Sequence, residues 1–332
     1  MHPFTLERPS DLAAAFAFRS QAGRNDAPSE YIAGGTDMVQ LLQEYVRRPS
    51  QLVSLAGLLD SRIELGPQGL RVGAAATMAD VAADRAVTEQ FPLITGALLN
   101  SASPQVRNQA TMGGNLLQRT RCPYFRDVGY RACNKRAPGS GCAAIGGETR
   151  WHAVLGTSDA CIAAHPSDLA VALLALEATV EVWSSAGQRT VSLAEFHRLP
   201  ADTPHIETVL EPGEVVAAIR VPASPLARRS HYLKIRDRAS FEFALVSAAV
   251  ALDVEGGVIQ EARIALGGVG TKPWRVPTVE AALRGASLEA SGLRQAAAFA
   301  AEDAQPRGSN AFKVELMQRA IVRAIEVAGA QT

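Results

Sequence analysis

The chain has four cysteines in 332 residues, and all of them fall between residues 122 and 161. They are Cys122, Cys133, Cys142 and Cys161, separated by ten, eight and eighteen residues. Glycine and proline are frequent in this segment, which predicts a loop that brings the thiols together. The pattern favours a four-thiolate metal site, with an iron–sulfur cluster ahead of zinc. The spacing lacks the tight C-x-x-C pairs of strong metal motifs, so two disulfides or unreactive buried thiols remain open alternatives.

Composition argues against several classes of protein. Hydrophobic residues make up 47% of the chain and charged residues 20%, a balance typical of folded globular proteins. The 33 basic and 33 acidic residues cancel, so no basic excess indicates a nucleic acid or an anionic membrane as a partner. The first residues, Met1 to Asp11, contain no apolar signal core, and no apolar run reaches the ~18–20 residues that span a bilayer. We therefore expect a chain with no membrane span and no export signal of its own.

Two diglycine turns are the strongest candidates for a cofactor site. The first follows a predicted strand at Tyr31–Ala33 and opens a predicted helix over Met38–Val46; its residues are Ile32, Ala33, Gly34, Gly35, Thr36, Asp37 and Met38. The second contains Thr111, Met112, Gly113, Gly114 and Asn115. Adjacent glycines let the backbone approach an anion, and free N–H groups at a helix start favour phosphate. Either turn alone is compatible with an ordinary strand–helix connection, but the pair suits a diphosphate held from both sides.

Other common site motifs are missing from the sequence. Neither turn has the spacing G-x-G-x-x-G, and no G-x-x-x-x-G-K-[ST] occurs, which argues against Rossmann and P-loop folds. No G-x-S-x-G or H-E-x-x-H appears, so serine hydrolase and zinc protease functions lack support. His152 and His165 flank the fourth cysteine, and we expect both to be structural or solvated rather than metal ligands.

Hydrophobic patterning predicts two kinds of structure along the chain. In the first part, strands alternate with helices: strands at Gln51–Leu55, Leu70–Ala75 and Thr179–Trp183, and helices over Ser10–Ser20, Asp80–Leu99 and Ser167–Ala178. The cysteine segment interrupts this α/β pattern. After residue 224, an α+β unit is predicted, with a hairpin of Phe243–Val254 and Val258–Leu266 followed by helices over Thr278–Arg284, Leu288–Ala301 and Ala311–Val327.

These segments together resemble a known family. The turn at residues 33–37, the stretch Ser103–Leu116 and the segment His165–Ala170 are similar to the FAD-binding subunits of xanthine dehydrogenase-family molybdenum hydroxylases. Tyr232–Arg238 and the domain after it resemble that family's C-terminal module. The cysteine segment resembles an insertion that binds an extra [4Fe–4S] cluster in the FAD subunits of periplasmic aldehyde oxidoreductases, the most similar group, and of 4-hydroxybenzoyl-CoA reductases. The resemblance covers essentially the whole chain.

The resemblance implies a fold and a set of site residues. The fold is α+β: a two-part α/β FAD-binding domain of the PCMH/vanillyl-alcohol-oxidase type over residues 1–223, a cluster-binding loop inserted at about 119–163, and a C-terminal α+β domain over 224–332 like that of the CO dehydrogenase flavoprotein. The FAD diphosphate would lie between the two diglycine turns. Ser103, Asp168 and Lys234 would be further FAD contacts, with Asp168 accepting hydrogen bonds from a FAD hydroxyl or amine and Lys234 near the flavin. All four cysteines would hold the cluster.

The resemblance also implies a function. The chain would be an electron-transfer subunit of a heterotrimeric molybdenum oxidoreductase that converts aldehydes, aromatic ones above all, to carboxylic acids. The molybdenum cofactor and [2Fe–2S] centres would lie on partner chains, and FAD would pass electrons to oxygen, a quinone or ferredoxin. No catalytic residue is assigned to this chain. We expect a periplasmic location by co-export with a signal-bearing partner, with the cytoplasm as the alternative. A 4-hydroxybenzoyl-CoA reductase subunit and a non-catalytic zinc-loop scaffold are the rival functions.

Basic residues are frequent around the cysteines, which predicts a docking face for an acidic ferredoxin. They are Arg119, Arg121, Arg126, Arg131, Lys135 and Arg136. A solvated loop surface or a contact with a partner subunit would explain the same residues.

Overall fold

The computed structural model describes residues 1–22 and 29–331, and its strands form three sheets. The N-terminal sheet is parallel, with the order β1-β3-β2, and consists of β1 (Thr5–Glu7), β2 (Ser29–Ile32) and β3 (Gln51–Ser54). Helix α1 (Leu12–Ala22) follows β1, and α2 (Met38–Gln43) follows β2. The first diglycine turn therefore lies at the carboxyl edge of this sheet, the edge at which parallel sheets commonly bind ligands.

The second sheet is antiparallel and has five strands in the order β4-β5-β8-β6-β7. Its strands are β4 (Ile63–Gly66), β5 (Gly69–Gly73), β6 (Thr179–Ser184), β7 (Gly187–Ser192) and β8 (Val215–Pro222). The helices between β5 and β8 are α3 (Met78–Ala83), α4 (Arg85–Gln90), α5 (Pro92–Leu99), α6 (Pro104–Arg107), α7 (Met112–Leu116), α8 (Pro123–Arg126), α9 (Asp168–Ala175) and α10 (Leu193–Phe196).

The segment predicted as mostly helical over residues 80–99 is broken into three short helices. Asp84 adopts an extended conformation, and its carboxylate accepts the Val87 N–H at 2.9 Å, which caps α4. Pro92 occupies the first turn of α5, where its missing N–H costs no helical hydrogen bond. The two breaks turn the chain so that α5 buries its apolar residues in the main core.

The third sheet is antiparallel, with the order β12-β11-β10-β9. It contains β9 (Ser230–Ile235), β10 (Val246–Glu255), β11 (Val258–Gly267) and β12 (Trp274–Arg275), and is packed against α11 (Pro277–Leu283), α12 (Ala290–Ala298) and α13 (Phe312–Gly329). The predicted hairpin is formed by β10 and β11, whose turn at Gly256 and Gly257 has φ angles of +57° and +80°. Two successive positive φ angles are the geometry that a tight hairpin requires.

Helix α9 joins the two halves of the molecule. All of its residues are buried, and it contacts α5 and α7 on one side and strands of the C-terminal sheet on the other. The main hydrophobic core accordingly includes Ala249, Ala251 and Ala265 from that sheet. The predicted division at residues 223/224 falls between β8 and β9. Within the described ranges, no helix combines the length and apolar character that crossing a bilayer requires.

The cysteine segment is inserted between α7 and α9 but belongs to both halves. Its first part packs Phe125 and Cys133 against Leu41 of α2. Its later part joins the C-terminal core, because the N–H groups of Val154 and Leu155 both donate to the Val269 carbonyl, at 2.8 and 2.9 Å. The segment thus holds the cysteines at the junction of the two halves.

Candidate cofactor cleft and cysteine site

A cleft of about 820 Å³ lies between the N-terminal sheet, α7 and the C-terminal sheet. This volume is within the range of small-molecule and cofactor sites. The predicted cofactor residues line it with one exception: Ile32, Ala33, Gly34, Gly35, Thr36, Asp37, Met38, Thr111, Gly113, Gly114, Asn115, Asp168 and Lys234. Ser103 is the exception. Its hydroxyl accepts the Val106 N–H at 3.3 Å and caps α6.

The first diglycine turn presents unpaired backbone donors to the cleft. Gly35 has a φ of +74°, which glycine adopts at no steric cost. The N–H groups of Gly34, Gly35 and Thr36 donate to no acceptor among the residues that the structure describes. A Cβ on Gly34 would lie 1.9 Å from the Gln109 carbonyl oxygen, so the first turn touches the segment that leads into the second. Consecutive free N–H groups of this kind form an anion-binding concavity, as a diphosphate requires.

The second diglycine turn is held by packing and by its own side chains. The Thr111 hydroxyl accepts the Gly114 N–H at 3.2 Å and caps α7. A Cβ on Gly113 would lie 2.8 Å from Ala74 Cβ, so only glycine allows α7 to approach β5 this closely. The Asn115 amide nitrogen donates to Met78 Sδ at 3.2 Å, and its oxygen accepts the Ser167 hydroxyl at 2.6 Å. Asn115 therefore connects the turn to the start of α9.

The Asp37 carboxylate is occupied by the segment that leads into the cysteines. It accepts hydrogen bonds from Arg121 Nη1 at 2.5 Å, Arg126 Nη2 at 2.7 Å and the Arg119 N–H at 2.8 Å. Burial opposes ionisation, but the two guanidinium charges and the N–H keep the pKa of the Asp37 carboxyl below its usual value. Asp37 thus joins the wall of the cleft to the cysteine segment.

Asp168, at the start of α9, forms a buried network with residues from both halves. Its carboxylate accepts the Lys234 ammonium at 2.7 Å, the Tyr232 hydroxyl at 2.6 Å and the Ser101 hydroxyl at 3.0 Å. Lys234 also donates to the Asn100 carbonyl at 3.0 Å, and its side chain is 1% exposed. Burial and the neighbouring Asp168 charge raise the pKa of Tyr232 well above its usual value, so the phenol stays protonated and donates.

Sequence analysis missed Tyr232 and Ser101 in this network. The signal for Tyr232 is strand alternation, because residues 232 and 234 of β9 point to the same face of the sheet. No pattern in the sequence indicates Ser101, which meets Asp168 only through the tertiary packing of α5 against α9.

The four cysteines converge on one small cavity beside the cleft. Cys133 and Cys142 face each other in an isolated antiparallel bridge, and the Asn134 amide donates to the Ala160 carbonyl at 3.1 Å, next to Cys161. None of the four thiols forms a disulfide. The structure therefore does not contain the two disulfides that the spacing left open.

Burial disfavours the charged form of two of the four cysteines. Burial raises the pKa of the Cys122 thiol to about 12, although the Phe125 and Tyr124 N–H groups favour its charged form. Burial likewise raises the pKa of Cys161, against the Lys135 charge and the Ala163 N–H. The Cys122 thiol therefore stays protonated at neutral pH unless a bound cation compensates the charge of its thiolate. In the described ranges, no three Cys, His, Asp or Glu side chains lie close enough to hold a single metal ion.

The basic residues around the cysteines are mostly paired inside the chain, and the docking face for a ferredoxin stays a prediction. Arg119 and Lys135 pair with Glu207, and Arg121 and Arg126 with Asp37. Arg136 donates to the backbone carbonyls of Tyr124 and Phe125, at 2.9 and 2.8 Å. Arg131 is exposed. These cations fix the cysteine segment rather than present a basic surface.

The two histidines that flank the fourth cysteine are both placed inside the molecule. His165 stacks edge-to-face on His197, with ring centroids 4.4 Å apart, and burial keeps its pKa well below the usual value. His152 is 1% exposed, and its Nε2 lies 3.2 Å from Cys122 Sγ. Burial, followed by the Lys313 charge, lowers the pKa of His152 to about 4. His152 is buried, and His165 is partly buried.

Comparison with known proteins agrees with this architecture. Residues 2–224 match the FAD binding domain in molybdopterin dehydrogenase, and residues 231–328 match the CO dehydrogenase flavoprotein C-terminal domain. The chain therefore belongs to the FAD-binding medium subunits of the molybdenum hydroxylase family, as the sequence predicts, and is an oxidoreductase subunit that binds FAD.

Individual relatives place the chain within that family. It is 44% identical to the aldehyde oxidoreductase FAD-binding subunit PaoB of Escherichia coli K12, with 100% of both chains covered. It is 25% identical to the carbon monoxide dehydrogenase medium chain of Afipia carboxidovorans, over 99% of this chain and 97% of that one. Among solved structures, quinoline 2-oxidoreductase from Pseudomonas putida 86 superposes with a TM-score of 0.76 at 26% identity, covering 99% and 98% of the two chains. The predicted fold class is confirmed.

Proposed function

We propose that this chain is the FAD- and [4Fe–4S]-containing electron-transfer subunit of a heterotrimeric molybdenum enzyme that oxidises aldehydes to carboxylic acids. The observation that carries the proposal is the convergence of all four cysteines on one cavity beside the FAD cleft. The full-length similarity to an aldehyde oxidoreductase subunit supports the substrate class. The subunit's task is to hold its redox groups close together and out of water.

The donor set of the cysteine site supports a cluster rather than zinc. Zinc binds four thiolates at about 2.3 Å and draws them into one tight tetrahedron. No such tight group of ligands is found in residues 1–22 and 29–331, although the four cysteines line one cavity. A [4Fe–4S] cluster takes one thiolate for each of its irons and therefore accommodates more widely separated sulfurs. The backbone N–H groups near Cys122 and Cys161 would stabilise the bound thiolates.

The residues of the cleft have distinct tasks in this proposal. FAD, when bound, supplies the chemistry that exchanges electrons one or two at a time. The N–H groups of the first turn bind its diphosphate against Gly113 and Gly114. Lys234 carries a positive charge at the wall of the cleft, and Asp168 keeps that ammonium buried and oriented. Asp168 itself has one carboxylate oxygen bonded only to Tyr232, which leaves acceptor capacity for a FAD hydroxyl or amine.

The proposal requires partner chains. Homologous medium chains belong to multi-subunit molybdenum hydroxylases, which implies one subunit with the molybdenum cofactor and one with [2Fe–2S] centres. The external acceptor would be oxygen, a quinone or ferredoxin. We further propose that the complex is periplasmic and is exported with a signal-bearing partner; a cytoplasmic complex is the alternative.

Metal and flavin analysis of the purified complex tests the proposal. We expect FAD, released on heating, together with iron and acid-labile sulfide in excess of what the [2Fe–2S] subunit holds. Serine variants of each cysteine should lose that excess and keep FAD. A complex that contains zinc at this site, or no iron beyond the [2Fe–2S] centres, would overturn the cluster. Turnover of 4-hydroxybenzoyl-CoA instead of benzaldehyde would overturn the substrate class.

A further inference from the structure

His152 is the one side chain, among all residues that the structure describes, that hydrogen-bonds a sulfur of the cysteine site. Its Nε2 lies 3.2 Å from Cys122 Sγ. The ring is held in place by its backbone, since the His152 N–H donates to the Thr149 carbonyl at 2.8 Å. It also packs at 5.9 Å from the Tyr124 ring. The His152 ring thus contacts both Cys122 and Tyr124.

The chemistry of a bound thiolate fixes which atom carries the hydrogen. A cysteine that ligates iron has no proton to donate, so only an Nε2–H would be attracted to its sulfur. The other ring nitrogen, Nδ1, is buried and has no hydrogen-bond partner within the described ranges. Burial of an unpartnered lone pair costs less free energy than burial of an unpartnered N–H. The surroundings of both ring nitrogens therefore favour the tautomer that carries its hydrogen on Nε2.

Cys122 is distinguished from the other three cysteines by its position. It alone among them lines a second cavity of about 180 Å³, which His152 also lines. Asp168 and Phe243 line both this second cavity and the FAD cleft. Cys122 is thus the cysteine that lies beside the residues shared by this second cavity and the FAD cleft.

We infer that His152 is a positioning residue that donates an Nε2–H···Sγ hydrogen bond to Cys122 and thereby raises the reduction potential of the cluster. The inference rests on the proposed cluster. Hydrogen bonds to the sulfurs are among the main determinants of cluster potentials, because they stabilise the more negative, reduced state. The Phe125 and Tyr124 N–H groups likewise favour the charged form of the Cys122 sulfur, which adds to the effect of the His152 donor.

The test compares two substitutions of His152 in the complete complex. His152→Phe keeps an aromatic ring of similar size but removes the donor, whereas His152→Gln keeps an N–H at a similar reach. His205→Gln, an exposed histidine outside the cysteine site, is the matched control. The readouts are iron and sulfide content and an EPR-monitored redox titration of cluster and flavin. We expect the phenylalanine variant to keep its iron and to shift the cluster midpoint to more negative potential. The flavin midpoint should be unchanged, and the glutamine variant should lie nearer the unsubstituted protein.

Each outcome separates this inference from the proposed function. A fully loaded phenylalanine variant with an unshifted cluster midpoint overturns the inference and leaves the cluster in place. Loss of iron from the phenylalanine variant with retention in the glutamine variant supports the hydrogen bond, because the glutamine variant keeps an N–H donor although it lacks the ring. Loss from both overturns it, since an N–H donor at this position would then not be sufficient to retain the iron. Absence of the cluster signal from the unsubstituted complex overturns the proposed function instead.

Discussion

Replacement of Gly34 by alanine tests whether the contact between the two diglycine turns is needed to bind FAD. A Cβ at this position would lie 1.9 Å from the carbonyl oxygen of Gln109 and 2.9 Å from its carbonyl carbon. Ordinary C···O contacts are about 3.3 Å or longer, so the two backbones would have to separate by about 1.4 Å. Neither atom belongs to a flexible side chain, so the strain cannot be relieved by a rotamer change.

The expected cost follows from what this shift moves. Overpacking of this kind destabilises a fold by about 1–3 kcal/mol. The same shift displaces the free N–H groups of Gly34 and Gly35 from Gly113 and Gly114 across the cleft. A hydrogen bond to a charged group contributes about 1.5–3 kcal/mol, so the loss of one such bond to the diphosphate would raise the FAD dissociation constant at least ~10-fold.

Flavin content and FAD rebinding provide the assay. The fluorescence of flavin released on heating gives the content, and titration of the deflavinated complex gives the affinity. Gly66→Ala is the matched control, since a Cβ at Gly66 meets no atom within 4 Å. If Gly34→Ala binds FAD as tightly as this control, the reasoning about the two turns is refuted.

Three further predictions concern buried charge. Lys234→Met leaves the Asp168 carboxylate without its cation and should lower the free energy of unfolding by about 3–5 kcal/mol in urea denaturation. Adding Asp168→Asn to this variant should restore part of the lost stability. No gain in stability from the second substitution would contradict the pairing. Burial lowers the pKa of His197 from 6.5 to about 4, so the unfolded state binds the extra proton between these values. The contribution of His197 to stability should therefore be constant above about pH 6.5 and fall by about 3 kcal/mol towards pH 4, so the fall should be shallower in His197→Gln. An equal slope in both proteins would exclude this origin. Arg136→Gln should lose iron faster than Arg131→Gln under chelator challenge, because Arg136 alone of the two binds the backbone of the cysteine segment; equal rates would argue against that role.

Local patterns predicted those parts of the fold in which neighbouring residues decide the conformation. The hairpin of β10 and β11 was predictable because Gly256 and Gly257 supply the positive φ angles that its turn needs. The first diglycine turn was predictable for a similar reason, since Gly35 has a φ of +74° between a strand and a helix. The breaks at Asp84 and Pro92 were missed as separate helix starts, although both residues are common at such positions.

Charge was the property that the sequence described least well. A run of arginines and lysines looks the same in the sequence whether it faces a partner or the chain itself. In the fold, Asp37 and Glu207, far away in the sequence, neutralise four of these cations. Which cation pairs with which carboxylate depends on distances that only the tertiary structure sets. Burial favours the pairing because an unpaired buried charge costs free energy.

The sequence by itself predicted the two glycine turns, because these depend on residue types at short spacing, and its resemblance to a known family predicted the family and the fold class. It also showed that all four thiols belong to one segment. Only the tertiary structure decided that the thiols share a cavity without forming disulfides, and that Asp168 and Lys234 form a buried pair. It also placed His152 against Cys122. These contacts join residues from different elements, and packing of the two halves around α9 sets their distances.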